Sequence, residues 1–385
     1  MIKVLKALAG VLAGVLAGII IGGAFAMITK GLSLHDFLVK LMSVNLVEII
    51  LVSVASMFFA AIAVVVQIVV HEAGHLIMGL LTGYRFVSFR IFNLTLLRQD
   101  GRLRIKRFSL AGTGGQCLMS PPDRPIAEID TRWYNLGGVL MNALTAAAAL
   151  SCVCLFPMNV WLKMFLAIFS FFGICCALLN GIPMKVSGIG NDGYNLLHLE
   201  REPENKRFLY CILAVNARLQ SGERIDSLPE EWFAATGAPD WSNGLEANWR
   251  LMGATRLLAQ HRWQEVYDEL SAALSSEDRI MKIMLMELKC ELTYACLMLG
   301  KTAEAQTHFD SELQAYAAKY SSTQSGKKRL LAAWKLVAEG DRAGAAAELD
   351  YLRTHRDDYL IRGEADMDIS LTEHLLLCSS SAAEE

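Results

Sequence analysis

The sequence predicts a membrane α-helical bundle of about four spans, carrying a small inserted β-hairpin or sheet, followed by an all-α helical-repeat domain in the cytoplasm. Three observations predict it. Of the 385 residues 54% are hydrophobic and the mean hydropathy is +0.34, yet nearly all long apolar runs fall before residue 190. Four of those runs reach the length a bilayer crossing needs, about 20 apolar residues. Beyond residue 200, amphipathic segments alternate with short polar turns. The expected division is a membrane domain over 1–199, a linker and first helix over 200–240, and a helical domain over 241–385. A net charge of −3 gives no case for a nucleic-acid partner.

The predicted spans are 4–28, 46–81, 136–156 and 160–182. The first carries Gly10, Gly14, Gly18 and Gly22 on one helix face, a small-xxx-small pattern that lets another helix approach closely. Ala24-Phe25-Ala26 resembles a signal-peptide cleavage site, but the run is longer than the usual apolar region of such a peptide, which favours a retained helix. At 1.5 Å per residue the second run covers roughly 50 Å against a core of about 30 Å, so it must tilt, kink or emerge from the membrane.

Orientation follows from the short loops. Arg85, Arg90, Arg98, Arg102, Arg104, Lys106, Arg107, Arg124 and Arg132 all follow the second span, whereas Pro157 to Asn159 carries no charge. Lys3 and Lys6 favour an inside N-terminus; Lys163 is a contrary charge. The expected protein crosses a cell membrane, of bacterial type, with both termini in the cytoplasm. The nine cysteines form no C-x-x-C pair and read as free thiols facing lipid or a reducing cytosol.

The chemistry centres on His71-Glu72-Ala73-Gly74-His75. Histidines at i and i+4 share one helix face and can bind one Zn²⁺, while Glu72 can act as general base on a water. H-E-x-x-H occurs by accident on soluble helices. Here Val65 to Val70 precede it and Leu76 to Leu81 follow it, and ionisable groups at membrane depth are costly without a function.

Zinc needs a third protein ligand. Asp192 is the best candidate, because it follows the fourth span on the side toward which His71 and His75 lie. A plain turn role before Gly193 is the competing reading. His198 and Glu200 lie further beyond the apolar region.

These residues resemble the site-2 protease family of intramembrane metalloproteases. His71, Glu72 and His75 match its first motif, and Asn180, Pro183, Asp192 and Gly193 its N-x-x-P…D-G motif, whose aspartate is the third zinc ligand. The segment to Asp192 carries extra residues, including Ser187-Gly188-Ile189-Gly190. Gly138-Val139-Leu140-Met141-Asn142 matches the glycine and asparagine of a further family segment but lacks its proline. Asn142 then supports an oxyanion or orients substrate, or else it makes a helix–helix hydrogen bond. The resemblance implies a zinc endopeptidase that cuts membrane-anchored substrates, with Asn142 and Asn180 near the substrate. The CAAX-processing type is expected to take its third ligand from a glutamate instead.

The β-rich loop over 84–119 fits that picture. Phe86 to Phe92, Leu94 to Arg98 and Arg102 to Ser109 read as strands, with Asp100-Gly101 as a hairpin turn. In the resembled family such a sheet receives an unwound substrate as an added strand. A basic hairpin lying on anionic headgroups is the other reading, and the two are compatible.

In the helical half, similar junctions recur around Gln260, Gly300 and Gly340, forty residues apart. They resemble tetratricopeptide hairpins with a lengthened period and suggest a docking surface for a cytoplasmic partner. The spacings His261–Glu265 and Glu304–His308 allow a second metal site but read better as solvated pairs. Two other functions remain on the sequence: a non-catalytic membrane-anchored scaffold, for which Glu72 would be superfluous, and an exporter, for which intramembrane charges are too few.

Overall fold

The computed structural model describes residues 20, 31, 33–43, 45–99, 101–107, 114–186, 188–235 and 237–381. The first expected span, 4–28, lies outside the described residues apart from Ile20. Among the described residues, three helices are long and apolar enough to cross a membrane. The chain divides into two compact units, one built from the residues up to Gly74 and from Leu136–Ile182, the other from His75–Asn135 and the chain from Pro183 onward.

A short helix, α1 (Leu34–Ser43), precedes α2 (Leu46–Leu81), which runs unbroken for 36 residues. Asn45 caps α2 by accepting from the Glu48 amide at 2.9 Å. Helices α3 (Arg132–Leu155) and α4 (Val160–Gly181) are joined by a tight loop whose Asn159 caps α4. The predicted span ends at 156 and 160 leave room for only such a short connection.

In the first unit, buried polar groups tie the three helices together. Gln67 Nε2 donates to Phe169 O at 3.1 Å, Asn142 Nδ2 to Gln67 O at 2.9 Å, and Ser170 Oγ to Ala146 O at 2.8 Å. Such bonds are worth about 0.6 kcal/mol each in a bilayer, so they register the helices more than they hold them. Small residues allow the approach. A Cβ on Gly74 would sit 2.2 Å from Gly137 O, and one on Gly173 would sit 2.6 Å from Gln67 Nε2. Large side chains such as Val54, Phe58, Leu155 and Leu179 are exposed on the outer faces, the pattern of helices solvated by lipid.

The second unit contains a four-stranded antiparallel sheet in the order β3-β2-β1-β4. Its strands are β1 (Arg85–Ile91), β2 (Leu94–Gln99), β3 (Arg102–Arg107) and β4 (Gly115–Ser120). Gly101, at φ +74°, turns the β2–β3 hairpin, as the Asp-Gly pair predicts. Strand β4, which the hydropathy pattern does not announce, pairs with β1 through a bulge between Phe86 and Ser88.

The faces of this sheet are unusual. Ser88, Arg90, Thr95 and Gln99 are buried, whereas Leu94, Leu103 and Ile105 on the opposite face are 53%, 61% and 74% exposed. The register sets Leu96 against Ile105 and Arg98 against Leu103, so that open face is an apolar patch with arginines in it.

After α4 the chain forms a small hairpin, β5 (Lys185–Val186) and β6 (Ile189–Gly190), then α5 (Asp192–His198) and α6 (Pro203–Ser221). Short turns and an irregular stretch lead to α7 (Gly244–Ala259) and α8 (Trp263–Ala273). The remaining helices are α9 (Lys282–Met298), α10 (Thr302–His308), α11 (Ser311–Tyr320), α12 (Ser325–Ala333), α13 (Arg342–Thr354) and α14 (Arg362–Ser381). Their core includes Leu258, Leu270, Leu288, Leu292, Leu330 and Met367.

Each of the three junctions bends at a left-handed residue: His261 (φ 58°), Gly300 (φ 72°) and Gly340 (φ 68°). In the first junction this is His261 rather than Gln260, because the Gln260 amide still bonds back to Arg256 O in the last turn of α7.

Candidate metal centre

Helix α2 carries His71, Glu72 and His75 in its last third, one turn separating the two histidines. Glu72 and His75 are buried, at 8% and 7% exposure. Each histidine ring is oriented by a partner on Nδ1. His75 Nδ1 lies 2.7 Å from the backbone oxygen of Tyr134. A carbonyl only accepts, so Nδ1 carries the proton and the lone pair sits on Nε2.

Tyr134 is itself anchored. Its hydroxyl donates to Cys117 O at 2.8 Å, and its ring stacks on Tyr84 at 5.0 Å. Strand β4 is thereby linked through one tyrosine to the orientation of His75.

His71 Nδ1 lies 2.7 Å from Asn142 Oδ1. Gly138 makes room for this ring, since a Cβ there would stand 2.5 Å from His71 Cε1. The glycine and asparagine of the Gly138–Asn142 segment thus act on the same histidine. Asn142, wholly buried, gives its side chain to His71 and Gln67.

Asp192 opens α5 directly after its N-cap Asn191, whose side chain accepts from the Tyr194 amide at 3.0 Å. The Asp192 Oδ2 atom lies 3.4 Å from His75 Nε2. The residues before it form a small closed loop. Met184 N donates to Asn191 Oδ1 at 3.1 Å and Asn191 N to Met184 O at 3.0 Å, which closes β5 and β6 into a loop turned by Gly188 at φ +83°. The chain therefore advances from Met184 to Asn191 in one hydrogen-bonded step.

With His71 one helical turn before His75, the set His71, His75 and Asp192 offers two imidazole nitrogens and a carboxylate, donor types that can hold one ion. With Nδ1 of each ring against an oxygen, Nε2 is the nitrogen each imidazole has left to offer, and two imidazoles with a carboxylate are donor types that suit zinc. The lesser candidates are engaged elsewhere. Glu200 accepts from Thr131 N, Thr131 Oγ1 and Lys206 Nζ. Burial works against its charge, but these donors hold its carboxyl below the usual range. His198 stacks on Tyr194. Asn180 Nδ2 donates to Cys176 O one turn back in α4, which leaves its side chain within its own helix.

In the helical half, Glu265 pairs with Arg262 and not with His261. Glu304 and His308 are joined by Cys296, with ligand atoms within 4.8 Å of one another. Both Glu304 oxygens accept from the Tyr267 hydroxyl, and burial pushes the Cys296 thiol up to about 11.

The sequence reading missed Tyr134 and Gln67. Tyr134 acts through its backbone and leaves no sequence signal. Gln67 does leave one: it is the single polar side chain in Ala60 to Val70, four residues before His71. No protein-family model, curated protein or solved structure matches this chain.

Proposed function

We propose that the chain is an intramembrane zinc endopeptidase of the site-2 protease type, which hydrolyses peptide bonds in or near the transmembrane segments of membrane-anchored substrates. The observation that carries the reading is the 3.4 Å approach of Asp192 to the Nε2 face of His75, on a helix that also supplies His71 and Glu72. His71, His75 and Asp192 hold the metal. Bound zinc supplies Lewis acidity, which polarises a carbonyl and makes water nucleophilic at neutral pH. Glu72 takes the proton from the attacking water and delivers it to the leaving amine nitrogen.

A helical substrate hides its peptide bonds, so it must unwind before hydrolysis. The outer strand β3 offers main-chain groups on which an unwound segment can add as a further strand. The exposed Leu94, Leu103 and Ile105, with Arg98 and Arg107 beside them, suit a sheet face in contact with anionic lipid. The first span over 4–28, the cytoplasmic placement of both termini, and the role of the C-terminal helices as a tetratricopeptide-like docking surface for a protein partner belong to the same proposal.

The test is Glu72→Ala in a membrane preparation. Cleavage of single-span substrates is lost, short membrane fragments accumulate, and zinc stays bound at the wild-type ratio. Full cleavage by that variant overturns the mechanism. A chain that holds less than one zinc, unaffected by His71→Ala, favours a membrane-anchored scaffold.

A further inference from the structure

Gln67, His71 and His75 follow one another at four-residue intervals along α2 and so share one face of it. Only the histidines belong to the metal motif. Gln67 is nevertheless completely buried, and every polar atom of its side chain is used. Its Nε2 donates to Phe169 O at 3.1 Å, and its Oε1 accepts from Asn142 Nδ2 at 2.6 Å. Phe169 O is a carbonyl and can only accept, which fixes which end of the Gln67 amide faces α4. That leaves Oε1 toward Asn142.

The Asn142 amide is fixed in turn. Its Nδ2 donates to Gln67 Oε1 and to Gln67 O, both acceptors, so its Oδ1 must face His71. An oxygen at 2.7 Å from His71 Nδ1 requires a proton on that nitrogen. A chain of three hydrogen bonds thus runs from the α4 backbone to the tautomer of His71, and each link admits one polarity only.

We propose that Gln67 is a positioning residue for the metal ligand His71, acting through Asn142 to hold the Nδ1-protonated tautomer and so present Nε2 to the ion. This rests on the zinc reading above and adds to it the residue that prepares the ligand. It also assigns Asn142 to the ligand rather than to the substrate. An imidazole whose far nitrogen is fixed by an acceptor coordinates better, and loss of such a partner typically costs 10–100-fold in metal affinity.

The experiment uses the full-length chain in detergent, with Zn²⁺ affinity measured by chelator competition and His71 protonation read by ¹⁵N NMR without metal. Gln67→Leu removes the side-chain acceptor of Asn142 and the tie to Phe169 O while keeping most of the volume, and leaves Asn142 Nδ2 only the longer bond to the backbone oxygen of residue 67. We expect about tenfold weaker Zn²⁺ binding and a mixture of His71 tautomers. Gln67→Glu is the conservative control. It keeps a side-chain oxygen that accepts from Asn142, so affinity stays within about threefold of wild type.

Asn142→Asp separates positioning from packing. Either oxygen of that carboxylate accepts from His71, so adding Gln67→Leu to it costs no further affinity. An equal loss from Gln67→Leu in both backgrounds overturns the proposal, as does a His71 that keeps one tautomer in Gln67→Leu. The failure of the zinc reading looks different: His71→Ala then leaves metal binding unchanged, while the metal-free tautomer measurement still decides the role of Gln67.

Discussion

The Nε2 atom of His75 faces Oδ2 of Asp192 at 3.4 Å, while the opposite nitrogen of the ring is held by the backbone of Tyr134 at 2.7 Å. The ring is fixed from behind by an acceptor that no side-chain substitution removes, and the carboxylate stands close enough to Nε2 for the two to share one ion. Asp192→Ala is therefore expected to lower Zn²⁺ affinity by more than about 100-fold, a larger loss than typical for removal of an outer partner. Asp192→Glu retains a carboxylate and loses less. Chelator competition on the purified chain measures both, and wild-type affinity in Asp192→Ala removes that residue from the site.

Two glycines close the contact between α2 and α3, and their substitution should fail in different ways. A Cβ on Gly138 meets the His71 ring at 2.5 Å, and one on Gly74 meets the Gly137 carbonyl at 2.2 Å. The ring can turn, so Gly138→Ala is expected to weaken zinc binding at least about tenfold with a small change in melting temperature. The carbonyl belongs to a helix backbone and cannot turn, so Gly74→Ala is expected to destabilise the fold by about 1–3 kcal/mol. Thermal unfolding read beside zinc affinity separates the two.

The helical half contains a buried ionic cluster in which Arg329 Nε lies 3.0 Å from Asp368 Oδ1 and Arg329 Nη2 bonds Glu291. Removing Arg329 strands two carboxylates, so Arg329→Ala should cost about 3–5 kcal/mol. Burial raises the Asp368 carboxyl to about 6, even though Arg329 and Ser325 favour its charge. The folded state therefore holds a proton that the unfolded state has lost. Stability from this group is fully present below pH 4 and declines as pH rises through about 6, by an amount on the order of 3 kcal/mol. Melting curves between pH 4 and 7 should show that slope, and Asp368→Asn should flatten it. An unchanged slope in the variant would reject the assignment.

No disulfide joins the described cysteines, but their reactivity should differ. Burial raises the thiols of Cys211 and Cys296 to about 11 and that of Cys290 to about 12, so little thiolate forms at neutral pH. Cys378 is exposed. Alkylation of the native chain at pH 8, read by peptide mass, should modify Cys378 and spare Cys211, Cys290 and Cys296 until denaturant is added. Early modification of Cys290 would show that the core around it opens.

By itself the sequence determined what local chemistry dictates. Unbroken apolar runs specify α2, α3 and α4 as helices long and apolar enough to cross a membrane, because a helix satisfies its backbone hydrogen bonds within one segment. The i, i+4 spacing puts His71 and His75 on one face, since that follows from 3.6 residues per turn. Asp-Gly and the left-handed glycines marked the turns. Only the tertiary structure decided what depends on residues distant in the chain. It showed the segment before Asp192 folding into a hairpin closed between Met184 and Asn191, which no spacing rule reveals. It turned Asn142 toward His71 and gave Gln67 a partner on α4. It oriented His75 through a Tyr134 carbonyl, a group every residue carries. The physical reason is that ligand identity is written in side chains, whereas the orientation of a ligand is set by hydrogen bonds whose partners meet only after the helices have packed.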